Sequence, residues 1–298
     1  MHPFEYQAPT SLADAIRSMQ NHGASARPLA GGTDLIDQMR TGRHQPNVLV
    51  DVKKISELNI LQEDDQGLRI GAAVPCHRIY ETDTINHRYT ALADSCHILG
   101  GIQIQSRASI GGNLCNAGPA ADSTPSMIAL GGVCVISGPD GTREVAVESF
   151  CVGPGENVLA PGELLVEVRF PAPPQHSGSH YRRVIPRNEM DIAIAGVGAN
   201  VVLSNDGTVI EAARIALGAV APTPLLAEEA GALLKGQTVT DQHLSAAAEA
   251  AQSIVSPITD MRGTEAYRVH ITGVLVERVL RTAISRARGE DTHHKPGL

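Results

Sequence analysis

The residues of this chain best suited to chemistry are two pairs of glycines. Ala30-Gly31-Gly32-Thr33-Asp34 and Ser109-Ile110-Gly111-Gly112-Asn113 each set adjacent glycines beside hydroxyl, carboxylate or amide side chains. Adjacent glycines let the backbone take positive φ and approach a ligand with no Cβ in the way, so that consecutive N–H groups can turn toward an anion such as a diphosphate. Thr33 and Ser109 add hydroxyl donors and Asn113 an amide. One Gly-Gly pair alone reads most simply as a tight turn. Two pairs, similarly flanked and each followed by a helical stretch, favour an anion site.

Hydrophobic spacing supplies the elements that would position these loops. Ser11 can cap a helix whose apolar residues Leu12, Ala15, Ile16 and Met19 recur at helical spacing and which Gly23 ends. A short strand at residues 27–30 enters the first loop, a helix at 35–40 leaves it, and a second strand follows at 48–52, a compact βαβ-like unit. Residues 59–73 read as a hairpin, 75–100 as two helices, and 133–147 as a hairpin turning at Gly138-Pro139-Asp140-Gly141. The second loop lies between them. After an apolar strand at 164–170, the Pro- and Ser-rich stretch 171–179 marks a boundary. Beyond it, strands at 192–203 and 209–217 join across Ser204-Asn205-Asp206-Gly207, and helices are expected at 224–235, 241–255 and 263–286, then a polar tail.

Other candidate motifs carry less. Gly196-Val197-Gly198-Ala199-Asn200-Val201 begins like a dinucleotide fingerprint, but Val201 replaces the third glycine and the segment continues as a strand, so no helix N-terminus meets a phosphate. The five cysteines stand 17 to 20 positions apart with no C-x-x-C pair, which writes neither a zinc site nor an iron–sulfur cluster; they read as free thiols. His176 and His180 sit where prolines forbid the helix that would align them, and no metal is assigned.

The 298 residues allow two domains, and 42% hydrophobic with 19% charged residues is the composition of a globular chain. With 24 basic against 32 acidic residues, a net charge of −8 and no basic cluster, nucleic acid is not an expected partner. No stretch is long and apolar enough for a membrane span and the opening residues lack a signal-peptide pattern, so the expected location is cytoplasmic. Aromatic residues make up 3% and tryptophan is absent, so a ligand would be held by backbone and aliphatic groups.

The run from Gln103 to Asp122, with Arg107, Ser109-Ile110-Gly111-Gly112-Asn113, Pro119 and Asp122, resembles the FAD-binding medium subunits of the xanthine dehydrogenase and carbon monoxide dehydrogenase family, the molybdenum hydroxylases. Ala30-Gly31-Gly32-Thr33-Asp34 is similar to that family's first loop, and Tyr181, Arg183, Arg187, Asp191 and Ala193 to a further segment. The resemblance covers nearly the whole chain. It implies an α+β architecture: a two-subdomain FAD-binding fold of the PCMH type, then a C-terminal α/β domain with a small antiparallel sheet and a helix bundle that packs over the flavin. The expected limits are 1–175, with subdomains of about 1–55 and 56–175, then 178–287 and a tail at 288–298.

By position, the resemblance implies that Arg27, Pro28, Leu29, Ala30, Gly31, Gly32, Thr33 and Asp34 wrap the FAD pyrophosphate. Ser109, Ile110, Gly111, Gly112, Asn113, Cys115, Gly118 and Asp122 would form the second wall, with Leu164 and Leu165 against the flavin ring or adenine. Asp122 is equally placed to cap the helix that follows it. Arg183 stands where relatives often carry lysine, and the two cations differ in geometry. No residue is assigned a catalytic role. The implied partners are an iron–sulfur small subunit with two [2Fe–2S] clusters and a molybdopterin large subunit, in a heterotrimer or its dimer. This chain would relay electrons through FAD to an acceptor. Alternatives are a free-standing FAD reductase similar to the enolpyruvyl reductases, or a non-redox assembly protein that has lost the flavin. The sequence leaves open the organic substrate, whether carbon monoxide, an N-heterocycle or an aldehyde.

Overall fold

The computed structural model describes residues 2–290, so residues 291–298 of the expected tail lie outside the described residues. The described residues build three larger sheets in succession, with a fourth, two-stranded sheet inside the second unit. The first comes from β1 (Glu5–Gln7), α1 (Leu12–His22), β2 (Ala26–Leu29), α2 (Leu35–Arg40) and β3 (Val48–Asp51). Its strands are parallel in the order β1-β3-β2, so β3 is central and all four of its residues are buried. Ser11 caps α1 by accepting from the Asp14 amide at 3.1 Å, and Gly23 ends it at φ +50. The helix and both strands predicted around the first loop are therefore found, and β1 is an addition.

The second unit comprises β4 (Leu61–Asp64), β5 (Gly67–Gly71), α3 (Cys76–Tyr80), α4 (Asp83–Arg88), α5 (Thr90–Ile98), α6 (Ile102–Gln105), α7 (Ile110–Cys115), α8 (Ser123–Ala129), β6 (Val133–Gly138), β7 (Gly141–Ala146), β8 (Cys151–Gly153), β9 (Glu156–Asn157) and β10 (Leu164–Pro171). Five strands form an antiparallel sheet in the order β4-β5-β10-β6-β7. The stretch expected to hold two helices holds three. Thr82 is extended, and the backbone departs from helical geometry again at Tyr89, whose ring is 1% exposed in the core of this unit.

The third unit is β11 (Ser177–Val184), β12 (Ala195–Leu203), β13 (Ile210–Gly218), β14 (Leu225–Leu226), α9 (Glu228–Leu234), α10 (Asp241–Ser253) and α11 (Glu265–Ala287), its strands antiparallel in that order. Two expectations are corrected. The helix foreseen from 224 starts at Glu228, because Leu225 and Leu226 pair with Leu217 and Ala216. Strand β11 falls partly inside the stretch read as a boundary. Its Ser, His and Arg residues hide the alternation that marks a half-buried strand, yet Gly178 packs so close to α11 that a Cβ there would meet the Ala283 carbonyl at 2.2 Å.

The rival glycine motif lies within β12, as its continuation into a strand predicts. Its glycines have a packing reason. A Cβ on Gly198 would sit 2.7 Å from the Pro125 carbonyl of α8, and one on Gly196 would sit 2.6 Å from the Tyr181 hydroxyl. Gly198 lets the third sheet rest directly on the second unit, and Gly196 makes room for a side chain of its own sheet. Among the described residues, no helix is long and apolar enough to cross a membrane, and no group of three or more His, Cys, Asp or Glu is placed to hold a metal. All five cysteines are free.

Candidate functional site

Both glycine loops open on one cleft of about 650 Å³ between the first two units, a volume within the range of small-molecule and cofactor sites. Arg27, Pro28, Ala30, Gly31, Gly32, Thr33 and Asp34 form one wall; Ser109, Gly111, Gly112, Asn113 and Cys115 form the facing one, and Leu164 and Leu165 of β10 close an apolar side. The two walls touch. A Cβ on Gly31 would lie 1.9 Å from the Arg107 carbonyl oxygen, so the first loop packs onto the backbone that leads into the second. The Gln38 amide of α2 also donates to Asn116 Oδ1 at 2.9 Å.

Each loop runs into the N-terminus of a short helix, α2 or α7, whose first amides have no acceptor inside the helix. In α7 the Ser109 hydroxyl takes one of these, the Gly112 amide, at 3.0 Å. Positive φ is needed at one of the four glycines only, Gly32 at +77. Gly111 lies against the chain after β5, where a Cβ would meet the Ala72 carbonyl at 2.5 Å. Gly112 is the exception: a Cβ there would meet only the Ser109 hydroxyl, at 3.1 Å, and otherwise project into the open cleft. A ligand can therefore approach the backbone at Gly112 as it cannot at a residue with a side chain.

Five expected site residues lie off this wall. Ile110 is fully buried in the second core, Leu29 packs beneath Gly32, and Gly118 forms a turn in which its carbonyl accepts from the Ala121 amide. Asp122 and Arg183 pair with one another. The Asp122 carboxylate accepts from the Tyr181 hydroxyl at 2.8 Å and from the Arg183 guanidinium, which also donates to the Ile98 carbonyl at 2.8 Å. Asp122 precedes α8 without a side-chain bond to its amides, so the cap reading is corrected as well. The pair instead backs the second wall: Ser123, the next residue, donates its hydroxyl to Asn113 Oδ1 at 2.7 Å.

The cleft also holds residues that no glycine motif announces. Arg43 and His44 stand with Arg27 at its rim, where burial, then Arg27 and Arg43, lowers the His44 pKa. Residues 154–157 and 159–163 supply another stretch of wall, with the Asn157 amide on the Cys115 carbonyl at 2.8 Å. Their one sequence signal is the cluster Gly153-Pro154-Gly155 with Pro161-Gly162 between predicted strands. Burial raises the Asp34 pKa, with Asp37 adding to it, and pushes the Cys115 thiol up to about 12 with help from Cys151, so Cys115 is an inert wall group. Burial pushes Asp122 up to about 6 against the opposing pull of Arg183 and Tyr181. The site offers backbone donors and apolar surface. Such a lining suits a ligand with an anionic part and an apolar part.

The chain is similar to known proteins along nearly its whole length. Residues 2–173 match the family described as the FAD binding domain in molybdopterin dehydrogenase, and residues 180–283 the carbon monoxide dehydrogenase flavoprotein C-terminal domain. The chain belongs to the family of FAD-binding subunits of molybdopterin dehydrogenases. It is 35% identical to the carbon monoxide dehydrogenase medium chain of Afipia carboxidovorans over 96% of this chain and 98% of that one. It is 31% identical to a putative xanthine dehydrogenase FAD-binding subunit of Escherichia coli (strain K12), over 96% and 97%. A solved carbon monoxide dehydrogenase from Hydrogenophaga pseudoflava superposes with a TM-score of 0.91 at 33% identity, over 95% of this chain and 98% of that one.

Proposed function

We propose that this chain carries FAD in the cleft as the electron-transfer subunit of a molybdenum hydroxylase. Electrons would arrive from [2Fe–2S] clusters on a small partner subunit, reduced in turn at a molybdopterin large subunit, and leave to an acceptor. One observation carries the reading: two helix-leading glycine loops face each other across one cleft, with the backbone at Gly112 laid open to it. Bound FAD supplies the redox chemistry, while the protein supplies binding, orientation and electrostatics. Residues 27–34, with Ser109, Gly111, Gly112 and Asn113, hold the diphosphate and its neighbouring groups. Leu164, Leu165 and Cys115 keep water from the apolar part of the ligand. Asp122 and Arg183 act from behind the second wall.

The same reading assigns residues 1–175 to flavin binding and 178–287 to a domain that closes on it, and places the assembly in the cytoplasm. Partner contact falls on the surface near the second loop, because the electrons must reach a flavin held there. The test is direct. Purified chain should be yellow and release FAD, not FMN, on acid or heat treatment. Candidate aldehydes or N-heterocycles should bleach it anaerobically only when both partner subunits are present. Colourless protein that takes up no added FAD would defeat the flavin reading, and bleaching of the isolated chain by such a substrate would defeat the relay.

A further inference from the structure

Lys53 follows the last strand of the first sheet, and its ammonium reaches back to the first loop. It donates to the Ala30 carbonyl at 3.2 Å and pairs with Asp51 at 2.8 Å. Asp51 accepts in addition from the Lys53 amide at 2.9 Å and from the Tyr6 hydroxyl. Burial would raise the Asp51 pKa, but the hydrogen bonds from Lys53 and Tyr6 prevail and hold it below the usual range, so the carboxylate stays charged at neutral pH. One residue earlier, the Val52 amide donates to the Leu29 carbonyl at 3.1 Å. Two successive carbonyls are thus held on the β3 side of the loop.

In a trans peptide the N–H points opposite to its C=O. The amides of Ala30 and Gly31 are therefore turned away from β3, and both residues stand on the cleft wall. Consecutive amides aimed one way make a cradle for an anion. Glycine leaves the Ala30–Gly31 peptide free to rotate, so the cradle needs something to hold that carbonyl. Lys53 does not line the cleft, and its contact with the wall is through the Ala30 carbonyl.

We propose that Lys53 is a positioning residue for the diphosphate of the dinucleotide: it fixes the Ala30 carbonyl so that the Gly31 amide faces the ligand, while Asp51 and Tyr6 hold the ammonium in place. This rests on the flavin reading above. The test titrates flavin-stripped wild type, Lys53→Met and Lys53→Arg with FAD, and records the 31P spectrum of the bound diphosphate and the Gly31 amide resonance. Lys53→Met should weaken FAD binding about tenfold and shift both signals, and Lys53→Arg should recover most of the affinity. Lys53→Gln replaces Lys53→Met should that variant not fold. Unchanged affinity overturns the proposal, as does weakened binding with both signals unmoved, the mark of a merely structural role. Wild type that takes up no FAD would instead sink the flavin reading itself.

Discussion

The two glycine loops look alike in sequence and differ in what they ask of glycine. In the first, Gly31 is required by the protein, because the Arg107 carbonyl occupies the place of a Cβ, and Gly32 is required by its backbone, at φ +77. In the second, Gly111 serves packing against Ala72, whereas Gly112 has helical backbone and an open face. Each pair thus contains a glycine that assembles the wall. Only the second contains one whose missing side chain leaves room for a ligand. A Gly-Gly motif therefore merges assembly with recognition, and substitution can separate them.

The largest expected effects test that separation. Gly31→Ala should destabilise the fold by about 3 kcal/mol, since a methyl group cannot share space with a backbone carbonyl. Gly112→Val should leave the flavin-free protein close to wild type in stability but weaken FAD binding by more than about a hundredfold. Urea unfolding of the stripped proteins and FAD titration of the folded ones read the two quantities apart. Should Gly112→Val unfold the protein as readily as Gly31→Ala, the distinction between the two loops fails.

A smaller effect is expected at Asn113. Its Oδ1 is engaged by Ser123, by the hydroxyl at 2.7 Å and the amide at 3.4 Å, so the Nδ2 group is what it can offer the cleft. Asn113→Ala should weaken FAD binding by about 1–2 kcal/mol, and Asn113→Asp, which keeps the acceptor for Ser123 but loses the donor, should be at least as weak. Equal flavin occupancy in the three proteins, by absorbance ratio, would make the second loop a turn and nothing more.

Much of this was legible in the sequence because the signals were local. Glycine pairs, the Ser11 cap and the Asp206-Gly207 turn act within a few residues, and the elements around them are found where spacing puts them. What escaped depended on partners distant along the chain. Strand β11 carries Ser179, His180 and Tyr181 buried because the second unit supplies their hydrogen-bond partners, Thr90 and the Ala91 amide for Ser179, Asp94 for His180 and Asp122 for Tyr181, and no periodicity encodes that. The resemblance implies by position that Asp122 and Arg183 face the ligand. Each turns to the other instead, since a buried charge is costly without a partner. Arg43, His44 and residues 154–157 and 159–163 reach the cleft through tertiary folding.

The Asp122–Arg183 pair gives the last and smallest prediction, and it concerns the second wall only. The Asp122 carboxyl titrates at about 6 in the folded chain, raised by burial, against about 3.9 when unfolded. Between these values the folded state holds a proton that the unfolded state has released, so lowering the pH favours folding. The cost of burying this carboxylate is fully present above about pH 6 and vanishes below about pH 4. Asp94, whose pKa is held low by His180 and Arg286 despite its burial, acts oppositely: its stabilisation is complete above the unfolded pKa and is lost only in stronger acid. From pH 7 to pH 5, Asp122 should therefore add about 1 kcal/mol to wild-type stability. Asp122→Asn leaves Arg183 without its counter-ion and is expected to be less stable at both pH values, so the slope and not the level carries the test. Urea unfolding at the two pH values should show the wild-type gain reduced by about that amount in the variant. Parallel profiles would mean that Asp122 ionises normally within its buried pair, and that the second wall is backed by a permanent charge at both pH values.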